Sequence, residues 1–308
     1  MAAPQPHSLG DALTAGAYIA GWKVVGTLPA ALATRLFNAG ADAASDNGRG
    51  MEMLRRNLIR VVGVENVDQQ LVRDSMRSYA RYWKEAFRLP VMAGDAQVVA
   101  SISNAVRGRE YLDEALEAGR GAILALPHSG NWDMAGMWLV HNYGQFTTVA
   151  ERLKPESLFD AFVEFRRGLG FEVLPHTGGE APPYPRLREV LGGNGIVCLL
   201  GERDLTSRGV EVDFFGETTT FPAGPAKLAI DTGAALLPVH AWFEGTDSAP
   251  AWGLKSGAPV EVTTVEETTQ RLADCFAANI AAHPQDWHML QPMWPADRPK
   301  KPRRRRAR

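Results

Sequence analysis

Gly121-Ala122-Ile123-Leu124-Ala125-Leu126-Pro127-His128-Ser129-Gly130-Asn131-Trp132-Asp133 is the stretch whose reading decides the fold. Residues 122–126 form an unbroken apolar run of strand length, the pattern of a strand covered on both faces in a parallel sheet. Pro127 ends it, and Ser129-Gly130-Asn131 supplies turn and helix N-cap chemistry. Residues 134–142 follow with the mixed apolar spacing of a buried helix. Strand, sharp turn and helix place His128 at the carboxyl end of a strand, where open α/β sheets bind their ligands. Asp133, on the first helical turn, is expected within reach of the His128 ring.

The same strand-end logic extends along the chain. Residues 196–200 and 235–240 are two further apolar strands, followed or closed by Glu202 and His240. Strands are also expected at 147–153, with Glu151 and Arg152 at its end, and at 171–174. Edge strands or extended segments are expected at 210–215 and 260–263. Helices are expected at 51–90, stopped by Pro90, and at 98–119, 155–167, 184–191, 222–232 and 266–282. Strands alternating with helices predict an α/β fold with a mostly parallel central sheet flanked by helices. His128, Glu202 and His240 should then converge on one cleft.

The 308 residues are 45% hydrophobic and 22% charged, ordinary values for a globular chain that buries a large core. The net charge of −2 conceals an asymmetry, because the last ten residues carry seven cations and no acid. Without them the charge falls to −9. Such a tail suits an anionic membrane surface or nucleic acid, and nothing else in the chain supports nucleic acid. Residues 9–44 are apolar with Tyr18, Trp22 and few charges, but Pro29 interrupts them. They are too broken to span a bilayer and suit an interfacial amphipathic segment, a pair of packed helices, or both. The recurring Arg55, Arg56, Arg60, Arg73, Arg77, Arg81, Lys84 and Arg88, interleaved with Tyr79, Tyr82, Trp83 and Phe87, fit contact with anionic lipid or a solvated face over an aromatic core. No secretory signal is evident. Cys198 and Cys275, the two cysteines, lie in apolar runs outside any C-x-x-C pair and read as reduced core thiols.

His128 with a carboxylate suits general base catalysis, since a carboxylate on one ring nitrogen leaves the other free to take a proton. Asp133 or Glu202 can be that carboxylate. Backbone N–H groups at the start of the helix after Gly130 could stabilise an oxyanion. There is no G-x-S-x-G elbow, no P-loop and no paired metal-ligand spacing among the seven histidines. Gly192-Gly193-Asn194-Gly195 precedes a strand rather than following one, so it reads as a turn and not a dinucleotide fingerprint.

His128-Ser129-Gly130-Asn131-Trp132-Asp133 has the H-x-x-x-x-D form of glycerolipid-type acyltransferases. More narrowly, the chain resembles the bacterial lipid A biosynthesis (lauroyl/myristoyl) acyltransferase family. The resemblance rests on an ordered set of segments. Glu151-Arg152-Leu153-Lys154-Pro155 comes first, then Phe165-Arg166-Arg167-Gly168 and Gly201-Glu202-Arg203-Asp204. Phe214-Phe215-Gly216, Phe221-Pro222-Ala223-Gly224-Pro225-Ala226 and Pro238-Val239-His240 complete it. Glu202-Arg203 stands where the lipid A enzymes usually carry Asp-Gln. This departure and the Ala- and Arg-rich composition bring the chain nearest to the mycobacterial branch that acylates phosphatidylinositol mannosides.

The resemblance implies a glycerolipid-acyltransferase-like domain over 51–297, preceded by membrane-associating helices over 1–50 and followed by a disordered basic tail over 298–308. It implies palmitoyl transfer from acyl-CoA, a co-substrate with no further cofactor, to a mannose hydroxyl of phosphatidylinositol mannoside. The setting is the cytoplasmic face of the plasma membrane, with an anionic surface as partner and the protein expected as a monomer. His128, Asp133 and Glu202 are the expected catalytic residues, with Glu202 favoured as the relay carboxylate. Arg166 (or its neighbour Arg167), Glu151, Arg152 and Arg203 are expected to contact substrate, and His240 to support. Phe159, Phe162, Trp132 and Met137 could line an acyl tunnel. An acyl-carrier-protein-dependent enzyme with another glycolipid acceptor, and a non-catalytic lipid-binding homologue, are the rival readings.

Overall fold

The computed structural model describes residues 21, 24–152, 156–206 and 208–298. A seven-stranded sheet lies at the centre, in the order β1-β9-β8-β2-β5-β3-β4. Its strands are β1 (Val106–Arg107), β2 (Ala122–Leu126), β3 (Phe146–Ala150), β4 (Phe171–Pro175), β5 (Ile196–Leu200), β8 (Ala235–Gly245) and β9 (Pro250–Ser256). β8, β2, β5, β3 and β4 run parallel, as expected. β9 is antiparallel to β8, and β1 runs parallel to β9 at the edge. All five β2 residues are buried, because paired neighbours and helices enclose the strand on both sides.

Two apolar cores lie on the two faces. Ile123 and Ala125 belong to the core under α8 (Pro183–Gly192), α9 (Gly224–Thr232) and α10 (Val265–Ala282). Leu124 and Leu126 belong to the core under α6 (Trp132–Tyr143) and its neighbours. That alternation is the period of two along a strand buried on both faces. Trp287 and Trp294, both fully buried, close the first core.

The expected helix at 51–90 is two helices, α2 (Glu52–Val62) and α3 (Gln69–Ala93), parted at Gly63. Pro90 does not stop the run. It sits in the last turn of α3, which continues for three residues and is held by the fully buried Leu89. All eight cations named in this region have partners within the chain. Arg73 and Arg77 both grip Asp42 at 2.6 Å, holding its carboxyl well below the usual range. Arg81 meets Glu85 at 2.7 Å and Arg60 meets Asp297 at 2.7 Å. Arg55, Arg56, Lys84 and Arg88 bond to carbonyls, Glu52 or Thr34. The region is thus a charge-paired surface over an aromatic core.

The expected helix at 98–119 is also broken, into α4 (Ala96–Ala105) and α5 (Arg109–Glu117) around β1. Gly108 makes the break: its φ is +72°, and a Cβ there would fall 2.0 Å from the Ser256 carbonyl oxygen. The expected edge strand at 260–263 is absent. That segment reaches β8 only through bonds such as Val260 N–H to Leu236 O, while the strand is β9. β9 was hidden from pattern reading because it contains Pro250 and places Gly253 opposite Trp242. Residues 210–215 open a two-stranded hairpin, β6 (Val210–Phe214) and β7 (Glu217–Phe221), turned by Phe215 and Gly216 at positive φ.

Before α2, α1 (Ala30–Ala44) packs Ala33 and Ala41 inward and leaves Leu32 and Leu36 exposed. Residues 9–20, 22 and 23 of the expected interfacial segment at 9–44, and the basic tail after 298, lie outside the described residues. No helix among the described residues is long and apolar enough to cross a membrane.

Candidate active site

His128 and Glu202 are brought together by the two central strands. β2 and β5 are in register over all five residues, and Gly201 N–H donates to Leu126 O at 2.8 Å just beyond them. The chain leaves β2 at His128 and β5 at Glu202 side by side. One Glu202 oxygen accepts the His128 backbone N–H at 2.6 Å and lies 2.8 Å from ring Nδ1. An ionised carboxylate only accepts, so Nδ1 carries the proton and Nε2 keeps its lone pair. Glu202 is fully buried, and its second oxygen has no hydrogen-bond partner among the described residues. Burial pushes its pKa up, but the charge and hydrogen bonds of His128 outweigh burial and bring it below the usual value. His128 is 24% exposed and faces a cavity.

Asp133 does not reach His128. Asn131 caps α6 by accepting the N–H groups of Asp133 and Met134 at 3.1 and 3.0 Å. That start turns Asp133 away, toward α3 and α7 (Glu156–Gly168). Arg166 of α7 holds both Asp133 oxygens at 2.8 and 3.1 Å, and Tyr82 of α3 donates to one at 3.0 Å. Burial lowers the Arg166 pKa, yet Asp133 and Tyr82 raise it above its ordinary value. The same cap uses two of the backbone donors expected to form an oxyanion site. Gly130 N–H is also committed, to Asp286 O at 2.9 Å. Gly130 itself, at φ +58°, lies so close to β8 that a Cβ would fall 2.5 Å from Ala241 O.

The cavity beside His128 has a volume of about 1130 Å³, slightly above the roughly 300–1,000 Å³ of ordinary small-molecule sites. Arg166, Trp132 and Phe162 line it, whereas Met137 and Phe159 do not. Cys198 also lines it, and burial pushes its thiol pKa up. Glu151 and Arg203 lie at the wall, 3.4 Å apart. Arg152 is not in the wall. Its guanidinium is taken by Glu156 at 2.8 Å and by the Gly178 carbonyl. Arg167 faces solvent and pairs with Glu164 at 2.9 Å. His240 lies mid-strand in β8, not at a strand end, and its ring lies 5.5 Å from Trp242 and 5.6 Å from His283, which stack on each other at 4.7 Å. It does not join the His128 cleft.

Sequence reading missed His288. Its backbone N–H donates to His128 O at 2.8 Å, and its ring lies beside Trp132 and Tyr82. Its Nε2 is 2.9 Å from the Ser78 hydroxyl, which in turn donates to Asp286 at 2.6 Å. Burial, with the His128 charge adding, pushes the His288 pKa down to about 3. Partners 210 residues apart leave no spacing signal. No group of three or more His, Cys, Asp or Glu side chains suited to a metal ion occurs among the described residues.

The family model described as bacterial lipid A biosynthesis acyltransferase matches residues 7–296. A phosphatidylinositol mannoside acyltransferase of Mycolicibacterium smegmatis is 58% identical over 297 residues, covering 94% of each chain. Proteins of the same description from two strains of Mycobacterium tuberculosis are 55% identical over 285 residues, covering 91% of this chain and 88% of theirs. A match over nearly the whole chain, with strand ends that bring a histidine and a carboxylate together over a large cavity, makes this protein a member of the bacterial lipid A biosynthesis acyltransferase family.

Proposed function

We propose that the protein transfers a long acyl chain, palmitoyl, from acyl-CoA to a mannose hydroxyl of phosphatidylinositol mannoside, with His128 as general base. The observation that carries this reading is the Glu202-anchored His128, whose Nε2 is left with a lone pair at the wall of a large cavity. The names of the relatives support the acceptor class.

In this mechanism Nε2 removes the hydroxyl proton as the sugar oxygen attacks the thioester carbonyl. The tetrahedral adduct collapses, the carbon–sulfur bond breaks, and the imidazolium returns the proton to the CoA thiolate. Glu202 stabilises the imidazolium between these steps. No acyl-enzyme forms. Asp133 and Arg166 hold α6 and α7 in place around the site, and Glu151 with Arg203 meets the polar part of the acceptor. The work takes place at the cytoplasmic face of the plasma membrane, on a monomer. The exposed apolar side chains Val24, at 58%, Leu36, at 54%, Leu32 and Val91 support a peripheral membrane contact.

The test is free CoA release from palmitoyl-CoA, with and without mannosylated phosphatidylinositol, for wild type and His128→Ala. Release stimulated by acceptor in wild type and reduced about 10²–10⁴-fold in the variant is expected. Equal rates in the two proteins would remove His128 from the chemistry. Wild-type activity only with an acyl carrier protein thioester would replace the donor.

A further inference from the structure

Residues 286–288 lie along the turn that carries His128 as a short antiparallel strap. Gly130 N–H donates to Asp286 O at 2.9 Å, and His288 N–H donates to His128 O at 2.8 Å. Ser129 pairs with Trp287 between them. Trp287 is fully buried in the core. Asp286 and His288, on either side of it, both reach back to one hydroxyl, that of Ser78 on α3. Ser78 Oγ lies 2.6 Å from Asp286 Oδ1 and 2.9 Å from His288 Nε2. The other Asp286 oxygen, Oδ2, accepts the backbone N–H of Phe243 on β8 at 3.0 Å.

One hydroxyl has one proton to give. Burial raises the Asp286 pKa, and the bonds from Ser78 and Phe243 with the charges of His283 and Arg81 oppose the rise. As a carboxylate, Asp286 only accepts, so Ser78 spends its proton there. Toward His288 the Ser78 oxygen is then an acceptor, and Nε2 must carry the hydrogen. Burial keeps the His288 ring neutral. A neutral imidazole has one N–H, so Nδ1 is left as a bare lone pair. Nδ1 has no partner among the described residues, yet His288, only 8% exposed, lines the same cavity as His128. The rings of Tyr79, Tyr82, Trp132 and Phe243 pack around it. A buried acceptor left unmet is costly, and one in a cavity wall is met by what enters.

We infer that Ser78 and Asp286 are positioning residues that order the proton on His288, so that its Nδ1 takes a hydrogen bond from a hydroxyl of the glycolipid acceptor. Only the identity of the ligand rests on the acyl-transfer reading. The order of protons can be reversed without changing the shape of any side chain. In Asp286→Asn the Phe243 N–H still needs an acceptor, so the amide oxygen stays opposite it and the amide nitrogen faces Ser78. That nitrogen donates to Ser78 Oγ. Ser78 then gives its own proton to His288 Nε2, and the imidazole hydrogen moves to Nδ1. A change two hydrogen bonds away turns the free nitrogen from acceptor into donor, and the strap keeps its backbone bonds to Gly130 and His128.

The experiment reads the tautomer by two-bond proton–nitrogen correlation NMR on histidine-labelled protein, with the His288 signals identified by their loss in His288→Phe. Wild type should show Nε2–H and Asp286→Asn should show Nδ1–H. Ser78→Thr, which keeps the hydroxyl, should retain the wild-type form, and Ser78→Ala should lose the preference. Binding of phosphatidylinositol mannoside is followed in parallel by tryptophan fluorescence. It should weaken about tenfold in Asp286→Asn and in Ser78→Ala, but not in Ser78→Thr. The KM for the glycolipid should rise in proportion while kcat changes little. Nδ1–H in wild type, or one tautomer shared by wild type and Asp286→Asn, would overturn the proton order. A reversed tautomer with unchanged glycolipid affinity would overturn its role toward the acceptor. If none of the proteins transfers an acyl group, the acyl-transfer reading fails, and the spectra with the binding series still decide this inference.

Discussion

His128 and Asp133 lie five residues apart, yet they occupy two regions built on opposite principles. His128 is held by a carboxylate at 2.8 Å and keeps one ring nitrogen toward a cavity. Asp133 is buried between three helices, with both oxygens taken by Arg166 and one also by Tyr82. The first region keeps a proton-accepting group poised. The second fixes a charge permanently, so that α3, α6 and α7 meet at one point. The comparison teaches that one short motif divides into a chemical end and an architectural end, and that spacing cannot say which is which.

Substitutions that strike one end should leave the other largely intact. Glu202→Gln keeps an oxygen that accepts both His128 N–H groups, but it removes the charge that stabilises the imidazolium. The rate of acyl transfer should fall about 10²-fold or more, while the melting temperature moves little. Arg166→Ala should do the reverse first. It leaves Asp133 buried and unpaired, a change of about 3–5 kcal/mol in stability. The double variant Asp133→Ala/Arg166→Ala should regain part of that loss, because the stranded charge is gone. Denaturant unfolding of the single and double variants checks this, and a double variant as unstable as the sum of both would break the comparison.

The sequence made the chemical end more legible than the architectural one. Residues 122–126 and 196–200 are apolar throughout because they are buried on both faces, so their ends, and hence His128 and Glu202, could be located by inspection. The choice between Glu202 and Asp133 could not be made from spacing. Five residues look close along the chain, but the Asn131 cap rotates Asp133 onto the α3 and α7 side. Arg166 was expected in the cleft and lines it, although its partner came from the motif itself. His288, Ser78 and Asp286 left no trace because Ser78 meets the other two only through the folded chain. β9 was unreadable for a different reason. Its cross-strand fit depends on a glycine opposite Trp242, which erases the apolar alternation.

A smaller effect comes from two other histidines, both buried. Burial holds His240 and His288 neutral, with pKa values pushed down to about 3 in each. In the unfolded chain both return to roughly 6.5. The unfolded state therefore takes up protons first as the pH falls. Their contribution to stability is complete above about pH 6.5 and is lost progressively toward pH 3, amounting to roughly 2 kcal/mol for each at pH 5. Melting temperature should fall between pH 7 and pH 5. His240→Phe, which keeps a ring beside Trp242 and His283, should flatten that slope. An unchanged slope would mean that other groups carry the acid sensitivity.

The smallest effect concerns the hinge between the two regions. Asn131 caps α6 and donates to Glu85 at 2.8 Å, and the same Glu85 oxygen accepts the Trp252 indole N–H at 2.8 Å. Asn131→Ala removes the cap and should cost about 1 kcal/mol. Asn131→Asp preserves the cap and adds a negative charge at a helix N-terminus, which in isolation favours the helix. Here it would set that carboxylate against the buried Glu85, in a place where like charges are poorly screened. Thermal unfolding should therefore rank Asn131→Asp below Asn131→Ala, the reverse of the order that capping alone predicts. If aspartate is the more stable, the contact with α3 adds nothing to the cap. The turn after His128 would then be set by helix chemistry alone, and the boundary between the two regions would lie within α6 rather than at Asn131.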